Sequence, residues 1–81
     1  MKKKIQILLI EDNRLLRDGM SVLLKKQTDI SVVTSVGNGE NILELIGKFK
    51  PNMILLDLGL RSQNSLNLVN LIRKNFQETK I

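Results

Sequence analysis

Two short apolar runs, Ile5-Gln6-Ile7-Leu8-Leu9-Ile10 and Met53-Ile54-Leu55-Leu56, stand out in a chain whose other apolar residues recur mostly at helical spacing. Runs of this length, apolar on both faces apart from Gln6, predict strands covered by helices on two sides, and 53–56 reads as an interior strand. Residues 30–36 alternate instead. Ile30, Val32, Thr34 and Val36 fall on one face and Ser31, Val33 and Ser35 on the other, so this half-polar strand is expected at a sheet edge. Between the first two strands, Leu16, Met20, Leu23 and Leu24 share one face of a helix expected from about Arg14 to Lys26, with Asn13 as its N-cap. Leu15 and Val22 lie on a different side, as contacts with loops or as interface residues.

Gly37-Asn38-Gly39 reads as a turn into a second helix that buries Ile42, Leu43, Ile46 and Phe49 and stops before Pro51. It is only a fragment of a dinucleotide fingerprint, since the third glycine is missing and it does not follow the first strand. A third helix starts near Ser65, capped by Asn64 or Ser65, and presents Leu68, Val69, Ile72 and Phe76. Gln77 to Lys80 reads as a loop, and Ile81 as the first residue of a further strand. Strictly alternating strands and helices joined by short turns predict right-handed βαβ units and an α/β fold with a parallel sheet.

This pattern gives the acids their meaning. Glu11-Asp12 follow the first strand and Asp57 follows the third. In an open parallel sheet all strand C-termini lie along one edge, where such folds bind ligands. Any one of these acids alone would read as a helix cap. Together they predict a shared acidic pocket suited to a hard cation such as Mg²⁺, and a carboxylate beside such a cation can attack phosphorus.

Composition narrows the chemistry. The chain has 81 residues, enough for one small domain that buries roughly 60–65% of its unfolded surface. It has no Cys and no His, which excludes disulfides, thiolate metal sites and imidazole catalysis. Lys2-Lys3-Lys4 precede too short an apolar run for a signal peptide or membrane span, so a cytoplasmic location is expected. A net charge of +5 permits nucleic-acid contact, but the cations are scattered and the only aromatics are Phe49 and Phe76. A solvated surface is the better reading.

With these elements in place, the chain resembles the receiver domain of bacterial two-component response regulators, with local matches like those of the NarL/FixJ group. The resemblance runs through Glu11 to Met20, Val33 to Glu40 and Lys50 to Leu58. It implies a flavodoxin-like doubly wound sheet of which residues 1–81 supply the N-terminal (βα)3 part. It further implies that Asp57 accepts a phosphoryl group from a sensor histidine kinase. Asp12 would ligate Mg²⁺ directly, Glu11 mainly through water, and Gly59 through its backbone carbonyl.

The family usually has Met-Pro after the phosphoacceptor and then a glycine. Here Arg61 stands in the proline position and Ser65 in the glycine position, which predicts a less rigid loop. Arg61 would either reach the phosphate or point into water. The family's fourth and fifth strands, its switch hydroxyl and its active-site lysine lie beyond these 81 residues, so phosphotransfer to this chain alone is expected to be weak. DNA contact would belong to an effector domain. The alternative is a phosphorylation-independent interaction module derived from a receiver. An apolar strand at 53–56 without a full outer neighbour also predicts a homo-oligomer.

Overall fold

The computed structural model describes residues 4–60 and 64–81, and the readings made for Lys2, Lys3 and Arg61 lie outside them. Three parallel strands, β1 (Ile5–Ile10), β2 (Ile30–Val36) and β3 (Met53–Leu56), form a sheet in the order β2-β1-β3. They alternate with helices α1 (Arg14–Lys25), α2 (Ile42–Phe49) and α3 (Ser65–Asn75). The half-polar strand takes the edge expected of it and β1 the centre. β3 is less enclosed than its sequence suggests. Among the described residues its outer side is bridged only at Lys80, through a parallel bridge to Met53 and a hydrogen bond from the Ile54 N–H to the Lys80 carbonyl of 2.7 Å.

Local chemistry sets the ends of these elements. Asn13 caps α1 by accepting from the Leu16 N–H at 3.0 Å, and Asn64 caps α3 by accepting from the Asn67 N–H at 3.2 Å. Of the two candidates for the second cap, Asn64 takes the role because the Ser65 hydroxyl is turned elsewhere. α2 stops at Lys50, which adopts a left-handed conformation (φ 49°) and sends its N–H back to the Ile46 carbonyl, with Pro51 following. Asn52 ties the start of β3 to β1. Its Oδ1 accepts from the Gln6 N–H at 2.8 Å, and its Nδ2 donates to the Lys4 carbonyl at 3.3 Å.

β2 departs from the pattern read in its sequence. Ile7 pairs with Val32 but Leu8 pairs with Thr34, so Val33 is an extra residue, a β-bulge. Paired residues of parallel strands share a face, so the bulge divides the expected row. Ile30 and Val32 lie on the face of Ile5 and Ile7, whereas Thr34 and Val36 lie on the face of Leu8 and Ile10. Strict period-two counting cannot anticipate this, because one inserted residue exchanges the faces beyond it.

The two faces are closed to different degrees. On one, Leu8, Ile10 and Ile54 pack with Ile42 and Ile46 of α2 and Leu68 and Ile72 of α3, all of them buried, with Leu43, Val69 and Phe76 half-buried. On the other, α1 lies chiefly over β2 and buries none of its own residues. Ile7 and Leu9 are buried beneath it, but Leu16 and Leu23, expected in the core, are 51% and 64% exposed. Leu15 and Val22 are exposed as well.

A candidate acidic centre at the strand ends

Backbone hydrogen bonds bring the ends of the three strands level. The Glu11 N–H donates to the Val36 carbonyl and the Asp57 N–H to the Ile10 carbonyl, each at 3.0 Å. Glu11 and Asp57 thus emerge side by side from adjacent strands, and Asp12 leads from β1 into α1. One carboxylate oxygen from each of Glu11, Asp12 and Asp57 lies within 4.8 Å of the others. The acids separated by 45 positions in sequence do converge, as the strand pattern predicts.

Their environments differ. Glu11 is 5% exposed, and its Oε2 is buried without a hydrogen-bond partner. Burial, followed by the hydrogen bond to Asp57 and by the charge of Asp57, pushes the Glu11 carboxyl above the usual carboxylate range. Asp57 moves the opposite way. The Gly59 N–H donates to its Oδ1 at 2.9 Å and, with the hydrogen bond from Glu11, holds its carboxyl below the ordinary value. Within this pair Asp57 is therefore the group that ionises more readily and Glu11 the one that holds a proton more readily.

Two groups that sequence reasoning did not place at the site support it. Ser65, at the start of α3, is buried and donates its hydroxyl to the Asp57 carbonyl at 2.6 Å. The residue in the usual glycine position thus ties the start of α3 to the end of β3. Arg17 reaches back from α1, its Nη1 donating to the Glu11 carbonyl at 2.8 Å. A signal for Arg17 exists in the sequence: Arg14 and Arg17 open a helix whose first turn has no acid, against the helix dipole. Arg14 finds a partner in exposed Asp18 at 3.9 Å, while Arg17 turns inward. Gly59 contributes its N–H here.

Beside the acids, a cavity of about 290 Å³ opens between α1 and β3, lined by Leu9, Leu16, Met20, Leu55, Glu11 and Asp57 among others. The carboxylates stand at the mouth of an apolar cleft, with little competing polar chemistry on its walls. The donor set fits Mg²⁺: hard oxygen ligands, no nitrogen or sulfur, and one buried carboxylate oxygen still lacking a partner.

A three-stranded parallel sheet with acids at its strand ends defines an α/β module with a site at one sheet edge, and the comparisons make the class explicit. Residues 7–81 match the response regulator receiver domain, and the chain belongs to that family. It is 40% identical over 68 residues to the nitrate/nitrite response regulator protein NarL of Escherichia coli, covering 84% of this chain and 32% of that protein. It is 35% identical over 78 residues to the sensory transduction protein LytT of Oceanobacillus iheyensis, covering 96% of this chain and 32% of that protein. It is 30% identical over 80 residues to the transcriptional regulatory protein DegU of Brevibacillus brevis, covering 99% and 34%. The chain thus spans about a third of the length of these relatives. Among solved structures, the response regulator domain of Thermotoga maritima CheB superposes with a TM-score of 0.82 at 24% identity, covering 91% of this chain and 55% of that one. That likeness establishes the flavodoxin-like fold.

Proposed function

We propose that this receiver domain is a phosphoacceptor, with Asp57 taking a phosphoryl group from a phosphohistidine of a sensor kinase. The observation that carries the reading is the division of labour within the carboxyl pair: Asp57 more exposed and oriented by the Gly59 amide, Glu11 buried beside it with an unsatisfied oxygen. An Asp57 carboxylate oxygen forms the new O–P bond, the P–N bond breaks, and the imidazole leaving group takes up a proton. Glu11, Asp12, Asp57 and the Gly59 carbonyl would hold Mg²⁺, which when bound neutralises charge on carboxylate and phosphoryl oxygens alike. Ser65 and Gly59 fix Asp57 against rotation, and the apolar wall of Leu9, Leu55 and Leu56 limits water on one side.

Among the described residues no helix is long and apolar enough to cross a membrane, and we place the module in the cytoplasm beside its kinase. The outer edge of β3 and the groove it shares with α3, lined by Ile54, Leu55, Leu56, Leu58, Val69 and Ile81, are proposed as a self-association surface. DNA contact is assigned to an effector module of a longer regulator. Acetyl phosphate with Mg²⁺, followed by mass spectrometry of the intact chain and its peptides, tests the phosphoacceptor assignment. The expected result is slow, partial gain of one phosphoryl group on Asp57, lost in Asp57→Asn and in EDTA. A label that persists in Asp57→Asn, or no label on wild type, overturns it.

A further inference from the structure

We propose that Arg17 is a positioning residue for the acidic centre, acting through the peptide of Glu11, and that position 37 is glycine to admit its guanidinium. The inference rests on the metal-binding reading above. Arg17 is half-buried, and its Nη1 holds the Glu11 carbonyl at 2.8 Å. That peptide joins the two acids after β1, so rotating it moves Glu11 and Asp12 together. A metal site tolerates displacements of only about 0.5 Å, and groups that orient its ligands matter accordingly. Arg17 touches the Glu11 peptide oxygen and not a carboxylate, so its work is geometric.

Gly37, in the turn after β2, supplies the room. A Cβ there would lie 2.8 Å from Arg17 Nη1 and 3.8 Å from Cζ, with no other atom within 4 Å. No described glycine has a positive φ, so the backbone at 37 would accept an L-residue. Only the passage of Arg17 requires its absence. Gly37→Ala is therefore a selective lever: the clash is with Nη1, the same atom that holds the Glu11 carbonyl, so relieving it strains that hydrogen bond.

The experiment is a Mg²⁺ titration followed by backbone amide NMR on the 81-residue chain, with wild type, Arg17→Ala, Gly37→Ala, the double variant and Asp12→Ala. Arg17→Ala and Gly37→Ala are each expected to weaken Mg²⁺ binding about tenfold, the scale found for groups that orient metal ligands. The double variant should bind no more weakly than Arg17→Ala, because Gly37→Ala acts only through Arg17. In metal-free spectra both single variants should shift the same amides, Glu11 to Asn13. Wild-type affinity in both single variants, additive losses in the double, or unmoved Glu11–Asn13 amides would overturn the proposal. Should Arg17→Ala not fold, Gly37→Ala carries both readouts. Loss of binding in Asp12→Ala alone would sink Arg17 and spare the metal site. A wild-type chain indifferent to Mg²⁺ would sink the metal site, and with it the role of Arg17 toward metal, while the metal-free shifts still decide its hold on Glu11.

Discussion

The two faces of this sheet are built from equally apolar sequence and reach different states. Beneath α2 and α3, Ile42, Ile46, Leu68 and Ile72 meet Leu8, Ile10 and Ile54, and every one of these is buried. Beneath α1 the strands are as apolar, yet the helix keeps Leu16 and Leu23 largely in water and leaves a cleft against β3. Amphipathic spacing reports that a helix can bury a stripe. What the stripe meets depends on how much of the opposing surface is shared with other elements. Two helices converge on one face, and one serves the other. The acids lie at the rim of the less filled side, next to the cleft.

The largest expected contrast is in core truncation. Ile54→Ala should cost roughly 2–5 kcal/mol, because it empties fully buried volume, whereas Leu23→Ala should cost less than about 0.5 kcal/mol. Urea denaturation followed by circular dichroism measures both, and comparable losses would erase the distinction between the faces. Next comes assembly through β3. The chain should sediment as a dimer or larger species at micromolar concentration, and Leu55→Lys at the open edge should shift it toward monomer. A monomeric wild type would confine the consequences of the open face to binding.

A smaller effect sits at the rim. Glu11 has its carboxyl raised in the folded chain, so any stability tied to its proton is complete below the unfolded value and fades as pH rises through the folded one. Glu11→Gln in EDTA should therefore melt higher than wild type at pH 7, with the gap closing near pH 4. Asp57 is shifted the opposite way, so Asp57→Asn should lose the stability present above its unfolded value and show no such gain at neutral pH. Smallest is Lys50→Gly. The left-handed backbone at this position favours glycine, and the substitution should stabilise by about 0.5–1 kcal/mol without touching either face.

Much of this was legible in the chain itself. Apolar runs located the strands, Asn13 and Pro51 marked helix limits, and the acids after two strands located the centre, because strand polarity dictates where side chains emerge. The exposure of Leu16 and Leu23 was not legible, since helical periodicity carries no information about the span of a facing sheet. Ser65 read as a candidate helix cap and as a departure from a familiar glycine until its hydroxyl was found on the Asp57 carbonyl. Arg17 and Gly37, twenty positions apart, meet only once β1 and β2 are paired. The faces of β2 were misassigned beyond residue 32 because alternation holds only while the ladder is regular.

The bulge at Val33 also acts as a length adjuster between neighbouring strands. At the lower end of the sheet the Ile5 N–H is held by the Asp29 carbonyl, and at the upper end the Glu11 N–H is held by Val36. Seven residues of β2 are thereby matched to six of β1, and the surplus is taken up midway. Deleting Val33 would leave the same six pairs in a regular ladder and keep both anchorages. What would go is the local bend and added twist that a bulge gives its strand, and with them the angle at which the turn at Gly37 faces Arg17. A single surplus residue in mid-strand thus tunes how two loops face each other across the rim.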